Sequence, residues 1–214
     1  MSIPSQLLIK VCGMKYRENI LAVSELQPDF LGFIFYPSSP RFIGVDFMMP
    51  SLPPAIKRTG VFVNEPIDSL ESRAKSYHLN YIQLHGHESS DYCAQLKAKG
   101  YSIIKAFAID EQFDFATTVP FQPFCDYFLF DTKGINPGGN GLAFNWEMLT
   151  QYTGQVPFWL SGGIGPDSIN ALSKFHHEKL FGIDLNSRFE SEPAKKDIVR
   201  LQSFIQSIRN PSAL

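Results

Sequence analysis

Asp131 follows an apolar run, Phe128-Leu129-Phe130, and precedes a glycine- and proline-rich stretch from Lys133 to Leu142. A strand that ends in a carboxylate and hands over to a glycine loop is how α/β enzymes build one wall of a site. Other reactive side chains stand in the same kind of position, each just past an apolar run: Cys12, Arg41, His85, Asp184 and the Asn186-Ser187-Arg188 turn. Together they offer an acid, a thiol, an imidazole and a guanidinium.

Each of these residues has a plain reading beside the chemical one. Cys12 serves as nucleophile, base or core packing, and a lone cysteine at a strand end is more often core. A free thiol titrates at about 8.5, so a basic role needs nearby positive charge or a weak demand. Arg41 follows Pro37-Ser38-Ser39-Pro40, a turn that fixes its backbone. It is either a surface arginine or a guanidinium held to take a planar carboxylate bidentately. Gly162-Gly163 and the Asn186-Ser187 turn are either tight turns or a phosphate cradle, since glycines let backbone N–H groups approach oxygens. Lys10 shares strand parity with Cys12 and points the same way, so its ammonium needs a buried partner, for which Asp184 is the candidate. A Schiff-base role for Lys10 or Lys105 is the sharper alternative, and structural pairing is expected for both. His85 and His87 form a His-x-His pair with no third ligand in view, so no metal site is expected.

The elements that position these residues repeat. Apolar strands are expected at residues 7–12, 30–36, 58–63, 81–84, 101–108, 127–130, 157–160 and 180–185. Helical spacing or stop signals place helices at 16–26, 45–52, 66–77, 88–98, 112–118 and 144–151, from Pro166, and at 198–208. Eight strand–helix units in a chain of 214 residues favour an α/β fold, a single (β/α)8 TIM barrel spanning residues 1–214, over an open doubly wound sheet. In such a barrel these strand ends share one face, and loops after strands seven and eight commonly hold a phosphate.

The totals narrow the partners. Hydrophobic residues make up 44%, with no apolar run near the roughly 18 residues of a membrane span. The first ten residues lack a basic start followed by an apolar segment, so no signal peptide is expected. A net charge of −2 gives no electrostatic case for nucleic acid or an acidic membrane. Three widely spaced cysteines, Cys12, Cys93 and Cys125, argue against a disulfide framework and for a reducing cytoplasm.

The motifs now form a recognisable set. Residues 10–14 read KVCGM, 32–43 GFIFYPSSPRFI, 61–64 VFVN, 83–89 QLHGHES, 160–164 LSGGI and 182–190 GIDLNSRFE. With LFDTKG and GGNG inside 129–141, these resemble, in order and in register, the phosphoribosylanthranilate isomerase family of tryptophan biosynthesis. The resemblance implies a barrel without metal or organic cofactor. It implies an Amadori rearrangement of a phosphorylated small molecule, N-(5′-phosphoribosyl)anthranilate, to 1-(2-carboxyphenylamino)-1-deoxyribulose 5-phosphate. By the family's motifs, Cys12 is the general base, Asp131 the general acid, and Arg41 meets the anthranilate carboxylate. Gly139, Asn140, Gly141, Gly162, Gly163, Asn186 and Ser187 hold the phosphate, and His85 and Asp184 complete the substrate-facing set. A general acid at Asp131 calls for a carboxyl kept protonated in a water-poor pocket. Arg188 stands where many relatives carry glycine, and a positive φ there would strain it. A monomer is expected rather than a homodimer. An aldolase- or epimerase-type barrel and a non-catalytic phosphate-binding protein are the competing readings.

Overall fold

The computed structural model describes residues 7–132 and 146–210. Eight parallel strands close into a barrel in sequence order. They are β1 (Leu8–Val11), β2 (Phe30–Ile34), β3 (Lys57–Phe62), β4 (Tyr81–Leu84), β5 (Ile103–Ile109), β6 (Tyr127–Thr132), β7 (Phe158–Ser161) and β8 (Leu180–Leu185). Strand parity sorts their side chains. Ile9, Val11, Leu31, Phe33, Phe128, Phe130 and Ile183 belong to the main core, shared with the surrounding helices. Phe30, Ile104, Ala106, Leu129 and Trp159 form a second cluster with Leu8, Tyr81, Tyr127 and Phe181 packed on it. Its rings interlock, with Phe30 and Trp159 at 4.8 Å and Tyr127 and Phe181 at 4.2 Å between centroids. This second cluster comes from the N-terminal halves of the strands, so the barrel interior is filled there and turns polar toward their C-terminal ends.

A repeated local device starts the strands. Asp29, Asn80 and Asp126 each sit just before an even-numbered strand and accept a hydrogen bond from the backbone of the strand before it, at Ile9, Arg58 and Ile103. Short polar side chains thereby satisfy strand-edge N–H groups that the ladder leaves open.

The α-helices are α1 (Arg17–Ser24), α2 (Ile67–Ser76), α3 (Ser90–Ala98), α4 (Ile169–Lys174) and α5 (Ile198–Arg209). Ser89 and Asp197 cap α3 and α5 by accepting from Tyr92 N and Arg200 N. Three expectations need correction. Residues 45–52 form no helix: Phe47 packs on Phe33 and Tyr77 and Leu52 is buried, but Pro50 within the segment and Pro53-Pro54 after it remove backbone donors. The segments after β5 and β6 are 3-10 turns, Phe115–Phe121 and Trp146–Gln151, the first carrying Pro120 inside it. After β8 the chain makes a 3-10 turn, Ser187–Phe189, then an antiparallel hairpin of β9 (Glu190–Glu192) and β10 (Lys195–Lys196) that the apolar pattern does not announce.

Candidate active site

A cavity of about 420 Å³ opens at the C-terminal ends of the strands. Cys12, His85, Asp131, Gly162, Gly163, Asp184, Asn186, Ser187 and Arg188 all line it. Sequence positions 12, 85, 131 and 184 therefore meet because four different strands end at one mouth.

Cys12 caps β1, its backbone N–H donating to Leu185 O at 2.8 Å. Its thiol needs room made by a neighbour. A Cβ at Gly32 would lie 2.7 Å from the Cys12 sulfur, so β2 must be bare there. Gly13 has φ +77°, and a Cβ on it would meet Arg41 Cδ at 2.7 Å and Asn186 Oδ1 at 2.8 Å. The glycine after the cysteine lets the arginine and asparagine side chains pass against the backbone.

Beneath the thiol, Lys10 Nζ donates to Asp184 Oδ2 at 2.8 Å, as the register Lys10↔Asp184 between β1 and β8 requires. Both groups are buried. Burial pushes the Asp184 carboxyl up against the pull of Lys10. Burial also works against the Lys10 ammonium, but Asp184 and Cys12 outweigh it and its pKa lies above the ordinary lysine value. Burial raises the Cys12 thiol too; Lys10 and Lys196 pull it down, and Asp184 pushes it up.

Opposite the thiol stands Asp131 at the end of β6. Ser161 Oγ on β7 donates to its Oδ1 at 3.1 Å. His85 Nε2 lies 3.5 Å from its Oδ2. Gln83 Nε2 is 2.9 Å from His85 Nδ1. With the amide nitrogen donating to Nδ1, the imidazole hydrogen sits on Nε2 and faces Asp131. The Asp131 side chain is 37% exposed. The described residues thus do not supply the water-poor pocket expected around it, because it stands at the open end of its strand.

Arg41 departs most from expectation. It does not line the cavity wall; its Nε and Nη2 grip Glu190, with Nη2 to Oε2 at 2.6 Å. Glu190 also accepts from Lys196 Nζ at 2.7 Å. Burial pushes the Glu190 carboxyl up, but Arg41 and Lys196 more than reverse this and hold it below the usual range.

On the remaining side, Gly162 and Gly163 have φ +92° and +66°, conformations that a side chain would resist. Ser187 and Arg188 line the wall with them. Arg188 has no positive φ, so the strain feared for it is absent. Its guanidinium pairs with Asp167 at 2.8 Å. Gly139, Asn140 and Gly141 lie outside the described residues.

Lys105 is committed elsewhere. It alternates with Ile104 and Ala106 of the interior cluster, and it donates to Glu88 and to the carbonyl of Gly86. The paired state of both lysines weighs against Schiff-base chemistry. His87 is exposed, and no group of three or more His, Cys, Asp or Glu among the described residues is arranged to hold a metal ion. Residue-by-residue reading of the sequence passed over Gln83, Ser161, Glu190 and Lys196. Gln83 had a signal, since it shares strand parity with His85.

A closed parallel barrel with acid, thiol and imidazole converging on its C-terminal mouth belongs to the (β/α)8 barrel enzymes. Comparison with known proteins goes further. The profile of the family described as N-(5'phosphoribosyl)anthranilate (PRA) isomerase matches residues 9–207. The chain belongs to this family. It is 46% identical to the N-(5'-phosphoribosyl)anthranilate isomerase of Parabacteroides distasonis, covering 96% of this chain and 95% of that one. It is 44% identical to that of Phocaeicola vulgatus, covering 95% and 98%. The solved phosphoribosyl anthranilate isomerase from Thermotoga maritima superposes with a TM-score of 0.82 at 31% identity, covering 96% of this chain and all of that one. Another solved member, in complex with reduced 1-(o-carboxyphenylamino)-1-deoxyribulose 5-phosphate, gives 0.79 at 29% identity over 96% and 100%.

Proposed function

We propose that Cys12 and Asp131 carry the Amadori rearrangement of N-(5′-phosphoribosyl)anthranilate to 1-(2-carboxyphenylamino)-1-deoxyribulose 5-phosphate, the isomerisation of tryptophan biosynthesis. The observation that carries this reading is that the two side chains, from β1 and β6, line one cavity beside the Gly162-Gly163 and Ser187 turns. Asp131 gives its proton to the furanose oxygen, the bond from that oxygen to C1′ breaks, and the nitrogen lone pair forms an iminium. The iminium acidifies the hydrogen on C2′. Cys12, as thiolate, takes that proton, and the enolamine tautomerises to the ketose. His85 and Ser161 orient the carboxyl group of Asp131. The turns at 162–163 and 186–187, with Gly139–Gly141, hold the phosphate.

Arg41 meets the anthranilate carboxylate. Glu190 occupies the Nε–Nη2 side of its guanidinium, which leaves the Nη1–Nη2 edge to take a planar anion. Arg41→Met is expected to raise KM about 10–100-fold, the worth of a charged hydrogen-bonded contact, with a smaller change in kcat. Steady-state kinetics on the purified variant check this; an unchanged KM removes Arg41 from the substrate's carboxylate.

A monomer remains the proposed state, since Cys12, Asp131 and the Gly162-Gly163 and Ser187 turns already line one cavity within a single barrel. A cytoplasmic setting fits as well: Cys12, Cys93 and Cys125 are all free thiols, and no described helix is long and apolar enough to cross a membrane. Expression in a tryptophan auxotroph that lacks this step tests the activity, beside a histidine auxotroph as control. Growth without tryptophan is expected; no growth from a well-expressed protein would count against it.

A further inference from the structure

The β9–β10 hairpin places a buried lysine next to the thiol's side of the cavity. Lys196 is 2% exposed, and its backbone is fixed in both directions by Asn19, whose Oδ1 accepts from Lys196 N at 2.7 Å and whose Nδ2 donates to Lys196 O at 2.9 Å. Its ammonium reaches inward. It donates to Glu190 Oε1 at 2.7 Å and to Asn186 Oδ1 at 2.8 Å. That same Asn186 oxygen packs against Gly13, the residue after Cys12. A buried ammonium is costly to desolvate unless its charge is answered, and Glu190 answers this one only in part because it also holds Arg41.

The charges around the thiol do not balance. Lys10 from β1, Arg41 from the β2–β3 connection and Lys196 from the hairpin stand against Asp184 from β8 and Glu190 from the hairpin. Glu190 serves two cations at once, so on this side of the cavity three cations face two carboxylates, while Asp131 and His85 face each other on the other side. That surplus is what a thiolate formed at Cys12 would face, while at rest burial holds the thiol above its ordinary value. Lys10 alone does not supply this, because Asp184 already neutralises it at 2.8 Å.

We propose that Lys196 is a positioning residue for the isomerisation: its charge, held in place by Glu190, Asn186 and Asn19, makes the Cys12 thiolate tolerable in a buried site. This rests on the role given to Cys12 above. Loss of the charge therefore acts on the proton-transfer step, and a variant that keeps the donors to Glu190 and Asn186 separates this from any effect on the substrate contacts of Arg41 and Asn186.

The test is the rate of alkylation of Cys12 by iodoacetamide as a function of pH, with the modified peptide mapped so that Cys93 and Cys125 are not counted. Thiolate fraction well below the pKa changes about tenfold per unit of displacement. In Lys196→Met the profile is expected to move to higher pH, with the rate at pH 7 down about tenfold or more and the high-pH limit unchanged. In Lys196→Gln, which keeps donors for Glu190 and Asn186, kcat near neutrality falls by a similar factor and KM stays within about threefold. Lys196→Arg, which keeps the charge, stays near the wild-type profile. Lys196→Gln, which keeps donors for Glu190 and Asn186 but no charge, gives the same displacement as Lys196→Met and replaces it if that variant does not fold. A Lys196→Met or Lys196→Gln profile superimposed on wild type overturns the proposal. Alkylation needs no turnover, so a wild-type protein without isomerase activity would remove the proposed function and still let the charge relation be read.

Discussion

Asp131→Asn lowers kcat by about 10²–10⁴-fold and leaves KM within a few-fold of wild type. The amide has the shape of the carboxylate and still accepts from Ser161, whose Oγ lies 3.1 Å from Oδ1. What it lacks is a proton to deliver to the ring oxygen. Ring opening without an acid must expel an alkoxide, and removing a positioned proton donor typically costs this range. The variant's amide nitrogen then takes the Oδ2 position facing His85 Nε2, where the 3.5 Å separation is already long for a hydrogen bond and little is lost. Retained folding, a KM near wild type and a collapsed kcat together identify a proton donor; full activity would mean that another group opens the ring.

Cys12→Ala has a comparable effect, about 10²–10⁴-fold or more on kcat, at a different step. Removing the sulfur of the buried Cys12 leaves a small void against Gly32, whose missing Cβ admits the thiol in the first place. The structural cost is therefore modest beside the chemical one. The substrate still reaches Asp131 in this variant, so the ring opens to the iminium while transfer of the C2′ hydrogen stalls. Deuterium placed at C2′ of the substrate separates the two variants: a primary isotope effect on kcat is expected in Cys12→Ala, where transfer of that hydrogen limits turnover, and not in Asp131→Asn, where ring opening does. A Cys12→Ala variant that retains wild-type turnover would show that the thiol only packs.

Much of the scaffold was legible because it follows from strand parity. Lys10 and Cys12 lie two apart on one strand and therefore face one side, and the register brings Asp184 opposite Lys10. Asp131, His85 and Cys12 were legible because each stands where an apolar run stops. Failures came where long-range contacts, not local pattern, decide. The residues at 45–52 have apolar content, and Phe47 and Leu52 pack inward, but Pro50 among them and Pro53-Pro54 beyond them break the helix. Glu190 and Lys196 sit in a polar stretch, Glu190-Ser191-Glu192-Pro193-Ala194-Lys195-Lys196, that looks like any solvated turn. Only Asn19, far away in sequence on α1, Asn186 and Arg41 reveal that two of its charges are buried. Arg41 was legible as an anion-binding guanidinium, and its first anion proves to be one the chain itself supplies.

A crystal structure of this protein with the reduced product analogue 1-(o-carboxyphenylamino)-1-deoxyribulose 5-phosphate tests the central claim most directly. The account predicts the Cys12 sulfur and the Asp131 carboxylate in contact with the same ribose-derived chain, at C2′ and at the former ring oxygen, with the phosphate against Gly162, Gly163 and Ser187. A ligand that touches only one of the two side chains, with the other turned to a separate space, would contradict it.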